Sequence, residues 1–261
     1  MGLNNMLVGS VWVVGPALGG YLAATYGLQN SFIIAGIGAA LCSLGYSQLP
    51  ETLVKVKGEQ EAFSFKDWWQ DTKVLLGDPN QQALIANACI FPLRFSCFST
   101  VVALHATSVA AMGPMELGWM FTIMALCQGI GMPIGSYMAD KVQGPRKWIV
   151  GPGSLLSAGC FGMLALAATP MDFYMIMGAQ GFFNSFAKAS VGAFTAESTK
   201  SERRGQALSL HRSAADAIAL VGPISFGLIA DVSGSSPATI IFTSALMGSV
   251  SLVYLVKARM N

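Results

Sequence analysis

The sequence predicts an all-α membrane protein of eight transmembrane helices, and three observations carry that prediction. Hydrophobic residues make up 53% of the chain and charged residues 11%, whereas soluble domains carry about 25% charge. Apolar runs of about 20 residues, enough to cross a bilayer, recur along the chain, and mean hydropathy is +0.56. The basic residues fall on alternate connections between these runs. A glycine-proline stretch of the first run also returns in the seventh.

Taken in order, the first span covers about 6–26 and the second about 31–49, which stops at Pro50-Glu51. The polar stretch 51–80 is the one long connection. Within it, Ala62 to Leu76 mixes Phe63, Phe65, Trp68 and Trp69 with Lys66, Asp67, Asp71 and Lys73. Aromatics beside charges suit an amphipathic helix lying in the membrane interface; a short soluble helix packed on the bundle fits the same residues. The third span is about 82–106, with Pro92 as its expected kink, and the fourth about 116–138. The fifth and sixth cover about 148–168 and 173–196. The seventh and eighth cover about 206–230 and 238–256.

Twelve of the fifteen Lys and Arg residues follow spans two, four, six and eight. The connections after spans one, three, five and seven hold none. This segregation requires an even number of spans and puts both termini on the cytoplasmic side, or its organellar equivalent. Cys42, Cys89, Cys97, Cys127 and Cys160 stand singly in apolar runs without metal-ligand spacing. No metal, cofactor or nucleic-acid partner is expected. An enzyme has little support, because no nucleophile or phosphate-cradling pattern is present. The first run is as long as a full span and lacks a basic leader, so it does not read as a signal peptide.

Gly15-Pro16-Ala17-Leu18-Gly19-Gly20 aligns with Gly222-Pro223-Ile224-Ser225-Phe226-Gly227 at a shift of 207 residues, and Gly27 meets Gly234 in the same register. That shift is the length of a six-span unit with its loops, so the chain is read as an internal duplication whose first copy begins part-way through. Small residues at Gly15, Gly19 and Gly20 let a neighbouring helix approach, and Pro16 bends the span.

These residues resemble the major facilitator superfamily of secondary transporters, twelve spans in two six-span halves. Gly15-Pro16-x-x-Gly19-Gly20 is similar to the family's antiporter-associated motif. Gly135 to Lys147, with Asp140-Lys141, Gly144 and Arg146-Lys147, resembles its loop between the second and third spans of a half, with two spacings one residue longer. Glu197 and Arg203-Arg204-Gly205 supply a third mark. The resemblance implies a partial fold: residues 1–50 as the last two helices of the N-terminal half, 51–80 as a cytoplasmic-side linker, and 81–261 as a complete six-helix C-terminal half. It also implies Asp140, Arg146, Glu197 and Arg204 as gating-loop residues; a plain solvated loop fits them as well.

Arg94, Lys188 and Asp216 fall at membrane depth, where a charge must be paired or wet. At 100° per residue, Asn87, Arg94 and His105 lie within about 20° of one face. Gln180, Asn184 and Lys188 follow at i, i+4 and i+8. Ser209, Arg212, Ser213 and Asp216 form a third stripe. Spans two, five and eight hold no charge in their interiors. The striped spans three, six and seven are therefore expected to line a cavity, and spans two, five and eight to face lipid. Candidate cavity residues are Asn87, Arg94, Gln180, Asn184, Lys188 and Asp216. The expected function is transport, by alternating access, of a small anionic or zwitterionic solute. The alternative is a transport-inactive, family-derived subunit of a larger membrane complex. A static polar network that orders the bundle, with Arg94 paired to Asp216, fits the same charged stripes. Expected partners are the lipid bilayer and other membrane chains.

Overall fold

The computed structural model describes residues 2–48, 64–141, 147–189, 199 and 204–258. Every regular element among them is helical. α1 (Gly2–Tyr26) and α2 (Leu28–Ser47) form a hairpin joined by Gly27 alone. Its φ of +81° lies in the left-handed region, which a Cβ disfavours. α3 (Phe65–Gly77) is the amphipathic helix of the long connection and packs on α4. α4 (Pro79–Cys97) starts with Pro79 in its first turn and with the Asp78 carboxylate accepting from Asn80 N–H at 2.9 Å.

α4 runs unbroken through Pro92. A π-helical turn, Phe98–Val102, then leads into α5 (Ala103–Ala110), so the third span is one rod from Pro79 to Ala110. α6 (Pro114–Lys141) follows, then α7 (Lys147–Met163), which closes in a 3₁₀ turn at Leu164–Leu166. α8 (Pro170–Ala189) opens on a capping box. Thr169 N–H donates to the Asp172 carboxylate at 2.8 Å, and Asp172 N–H donates back to the Thr169 hydroxyl at 3.3 Å. α9 (Arg204–Ser233) and α10 (Ser236–Lys257) form a second hairpin, and Gly234 turns it at φ +60°. The register that pairs Gly27 with Gly234 thus pairs two left-handed turns.

Among the described residues, six helices are long and apolar enough to cross a membrane: Leu28–Ser47, Pro79–Ala110, Pro114–Met138, Trp148–Leu166, Arg204–Ser233 and Ser236–Lys257. The connections after α1, α5, α7 and α9 are each at most three residues outside helical turns.

The major neighbours run in one series: α9 on α4, α4 on α10, α10 on α7, α7 on α8, α8 on α6, α6 on α1 and α1 on α2. Exchange α4 with α8, α6 with α9 and α7 with α10, and the packing pattern of these six helices maps onto itself.

Lipid gives no hydrophobic drive between helices, so close packing and polar contacts hold the bundle together. Both occur at the seams. Asn184 donates to Gln128 at 3.0 Å between α8 and α6, and Gln180 to Ser157 at 3.0 Å between α8 and α7. Thr122 donates to the Val13 carbonyl at 3.0 Å between α6 and α1, and Ser244 to the Ala158 carbonyl at 2.7 Å between α10 and α7. His211 meets Gln81 at 3.0 Å between α9 and α4, and Lys257 meets Gln82 between α10 and α4.

Glycines set the approach distances. A Cβ on Gly118 would lie 2.5 Å from the Pro16 carbonyl, and one on Gly20 would lie 2.6 Å from the Pro114 carbonyl. Gly15 and Gly19 have nothing within 4 Å of that position. The close approach expected of the whole glycine stretch is therefore made at Gly20, with Pro16 supplying the facing carbonyl. Inside the bundle, Phe98, Met120, Phe161, Phe173, Met177, Ile240 and Met247 form the core. α2 has no buried residue and turns Phe32, Leu41 and Leu44 outward.

Candidate solute cavity

A cavity of about 500 Å³ opens between α1, α4, α6 and α8. α4 contributes Phe91, Arg94 and Phe95, and Phe98 of the π turn closes that wall. The helical repeat puts Phe91 and Phe95 at i and i+4 on one face, with Arg94 beside them. Their rings stack, with centroids 5.9 Å apart and planes 13° off parallel. Trp12 of α1 stands edge-on to both, at 6.5 and 6.0 Å. α6 adds Gln128, and its Gly129 leaves room for the cavity; α8 adds Lys188.

Both cations meet at one ring. The Arg94 guanidinium carbon lies 5.4 Å from the Phe91 centroid and Lys188 Nζ lies 4.8 Å from it. The ring's negative face attracts each cation. Arg94 is 4% exposed, and its Nη1 has no hydrogen-bond partner among the described residues. Among the described residues that line the cavity there is no aspartate or glutamate. Two positive charges thus share a mostly apolar chamber with no acid in its described wall. That is an expensive arrangement at membrane depth unless water or an anion enters.

The other candidates sit elsewhere. Asn184 is buried one turn before Lys188 and stands behind the wall, holding Gln128 by its amide. Gln180 is one turn further along and is turned to Ser157 of α7. Asn87 is half-buried two turns before Arg94 and does not line the cavity. Asp216 is not brought to Arg94. α9 packs on the other flank of α4 through His211, Gly222 and Phe226. Asp216 lies off that face, 71% exposed, with its carboxylate 3.9 Å from Arg212 Nε. The cavity expected along spans three, six and seven is therefore lined by α1, α4, α6 and α8, and α9 takes no part. His105 also leaves the Asn87–Arg94 stripe. A π turn holds one extra residue, which rotates the downstream side chains by about 100°, and the His105 ring packs 5.9 Å from that of Phe173.

Of the gating-loop candidates, Arg146 and Glu197 lie outside the described residues. α6 continues through Asp140 to Lys141, so Asp140 is in the last turn of that helix and not in a loop before the next. Arg204 opens α9. Trp12 and Gln128 line the cavity although helical periodicity does not single them out. The one sequence signal for Trp12 is an aromatic well inside an apolar run, away from the interfacial positions tryptophan favours.

Residues 84–260 match the family model of the Major Facilitator Superfamily. The chain belongs to that superfamily. Among curated Major Facilitator Superfamily members, it is 33% identical over 129 residues to the staphyloferrin B transporter of Staphylococcus aureus, covering 48% of this chain and 30% of that protein. It is 26% identical over 165 residues to the MFS-type transporter SLC18B1 of Rattus norvegicus, covering 63% of this chain and 34% of that one. The chain thus spans about a third of the length of these curated relatives. Its fold is similar to the crystal structure of a bacterial homolog of the human lysosomal transporter Spinster, in an inward-facing and unoccupied conformation. That match has a TM-score of 0.65 at 13% identity and covers 96% of this chain and 67% of the other. It supports the superfamily fold and carries no information on solute. The protein is an integral multi-pass membrane protein.

Proposed function

We propose that this chain forms part of a secondary transporter that moves a small anionic or zwitterionic solute by alternating access, and that it is a carrier and not a catalyst. The observation that carries this reading is the meeting of Arg94 and Lys188 at Phe91, in a chamber with no acid in its described wall. On this reading α1 and α2 are the last two spans of one transporter half, in 1–50. Residues 51–80 are the linker, with α3 lying in the interface, and 81–261 are the six spans of the other half. Both termini then lie on the cytoplasmic side or its organellar equivalent. Further membrane helices, from a longer chain or a second one, complete the solute path.

The test is uptake in proteoliposomes by the native particle that contains this chain. Arg94→Ala and Lys188→Ala should each abolish uptake while leaving thermal unfolding near that of the parent. Unchanged uptake in both variants would sink the assignment of the cavity.

A further inference from the structure

We infer that the solute is an organic dianion, two acidic groups joined to a flat apolar body. This rests on the transporter reading of the same cavity and narrows it. Three features of the wall argue for it.

The first is the donor balance. Arg94 Nη1 is buried and unpartnered, and Lys188 makes no hydrogen bond or ion pair among the described residues. Gln128 spends its carbonyl oxygen on Asn184, so its amide N–H groups are what it has left to offer. Guanidinium, ammonium and amide are all donors. A carboxylate is acceptor-only when ionised and satisfies each of them. A zwitterion would bring an ammonium to a wall with two cations and, among its described residues, no acid.

The second is the count. Two cations are held at one ring, close enough for one small solute to touch both. Asp216, the acid best placed in sequence to balance one of them, pairs with Arg212 outside the cavity. A solute with two negative charges would answer both cations at once.

The third is the remainder of the wall. Apart from the cations, Ser10, Gln128 and the Trp12 indole N–H, its described side chains are apolar, and Trp12 and Phe95 present exposed ring surface beside Phe91. A small hydrophilic dianion would leave that surface wet. A planar apolar body between two acids would cover it, and aromatic pairs gain beyond area alone.

The experiment is calorimetric titration of the full chain in lipid nanodiscs with four probes: naphthalene-2,6-dicarboxylate, 2-naphthoate, succinate and 2-naphthylmethylamine. The dicarboxylate should bind at least about tenfold tighter than each of the others, the ratio expected of one further charge-assisted contact. Lys188→Gln should bring the dicarboxylate and 2-naphthoate to similar affinity. Trp12→Ala should weaken both and leave succinate unchanged. Succinate equal to the naphthalene dianion, the amine as the tightest probe, an unchanged ratio in Lys188→Gln, or no saturable binding would each overturn the inference. Binding in the expected order without uptake by the native particle would refute transport and leave this inference standing. Uptake of a zwitterion that depends on Arg94 and Lys188 would do the reverse.

Discussion

Gly118 and Gly20 show how much one missing methyl group can decide. The atoms that a Cβ would meet are backbone carbonyl oxygens, which have no rotamer to yield. Gly118→Ala must push α6 away from α1, and overpacking of this kind costs about 1–3 kcal/mol. Thermal unfolding in detergent should show that loss for Gly118→Ala and Gly20→Ala. Gly19→Ala, with open space at its Cβ, should stay within about 0.5 kcal/mol of the parent. The glycine-rich face itself is readable from spacing. Which glycine touches a neighbour is not, because that depends on the rotation of α1 against α6, and one apolar run does not encode it. The same holds at the cavity. Arg94 and Lys188 stand out because a charge in an apolar run needs an explanation. Asp216 stands out for the same reason, yet it answers to Arg212 at i and i+4 on its own helix.

Among the elements, the rod from Pro79 to Ala110 marks where periodicity stops being a guide. A face projected at 100° per residue holds as far as Arg94, and the π turn at Phe98–Val102 then resets it. Proline, the expected source of irregularity at Pro92, leaves the helix continuous. The start of α8 is the opposite case, since Thr169-x-x-Asp172 is a capping pattern visible in the sequence. The Thr169 hydroxyl, with the N–H groups of Thr169 and Ala168, holds the Asp172 carboxyl below its ordinary range. A carboxyl whose pKa is depressed by folding stabilises the fold above its unfolded value, about 3.9. That contribution fades as pH falls through the lower folded value. The protection of amides at the first turn of α8, taken relative to their intrinsic exchange rate at each pH, should therefore fall on acidification below about pH 4. Asp172→Asn should show raised exchange already at neutral pH, with a flattened acid response.

For the whole molecule, charge segregation is the most legible signal, because lipid excludes Lys and Arg from any position where they would be stranded. The long-range order of the helices is not legible. Which helix adjoins which is set by matched small residues and single polar contacts such as Asn184 with Gln128. Those residue types are scattered too widely along the chain to be paired from sequence. The proposed orientation is testable in a cysteine-free background. A cysteine at Ala168 should react with a membrane-impermeant maleimide from one side of sealed vesicles. Cysteines at Lys66 and at Lys257 should react from the other. Labelling of all three from the same side would refute the arrangement.

The connections after α1, α5, α7 and α9 are each at most three residues beyond helical turns. Those four connections leave little chain outside the helices. A protease needs several residues of extended chain to engage its cleft, and an antibody needs a protruding epitope. Neither finds much at those four turns, so proteolytic nicking and raised antibodies should be scarce there.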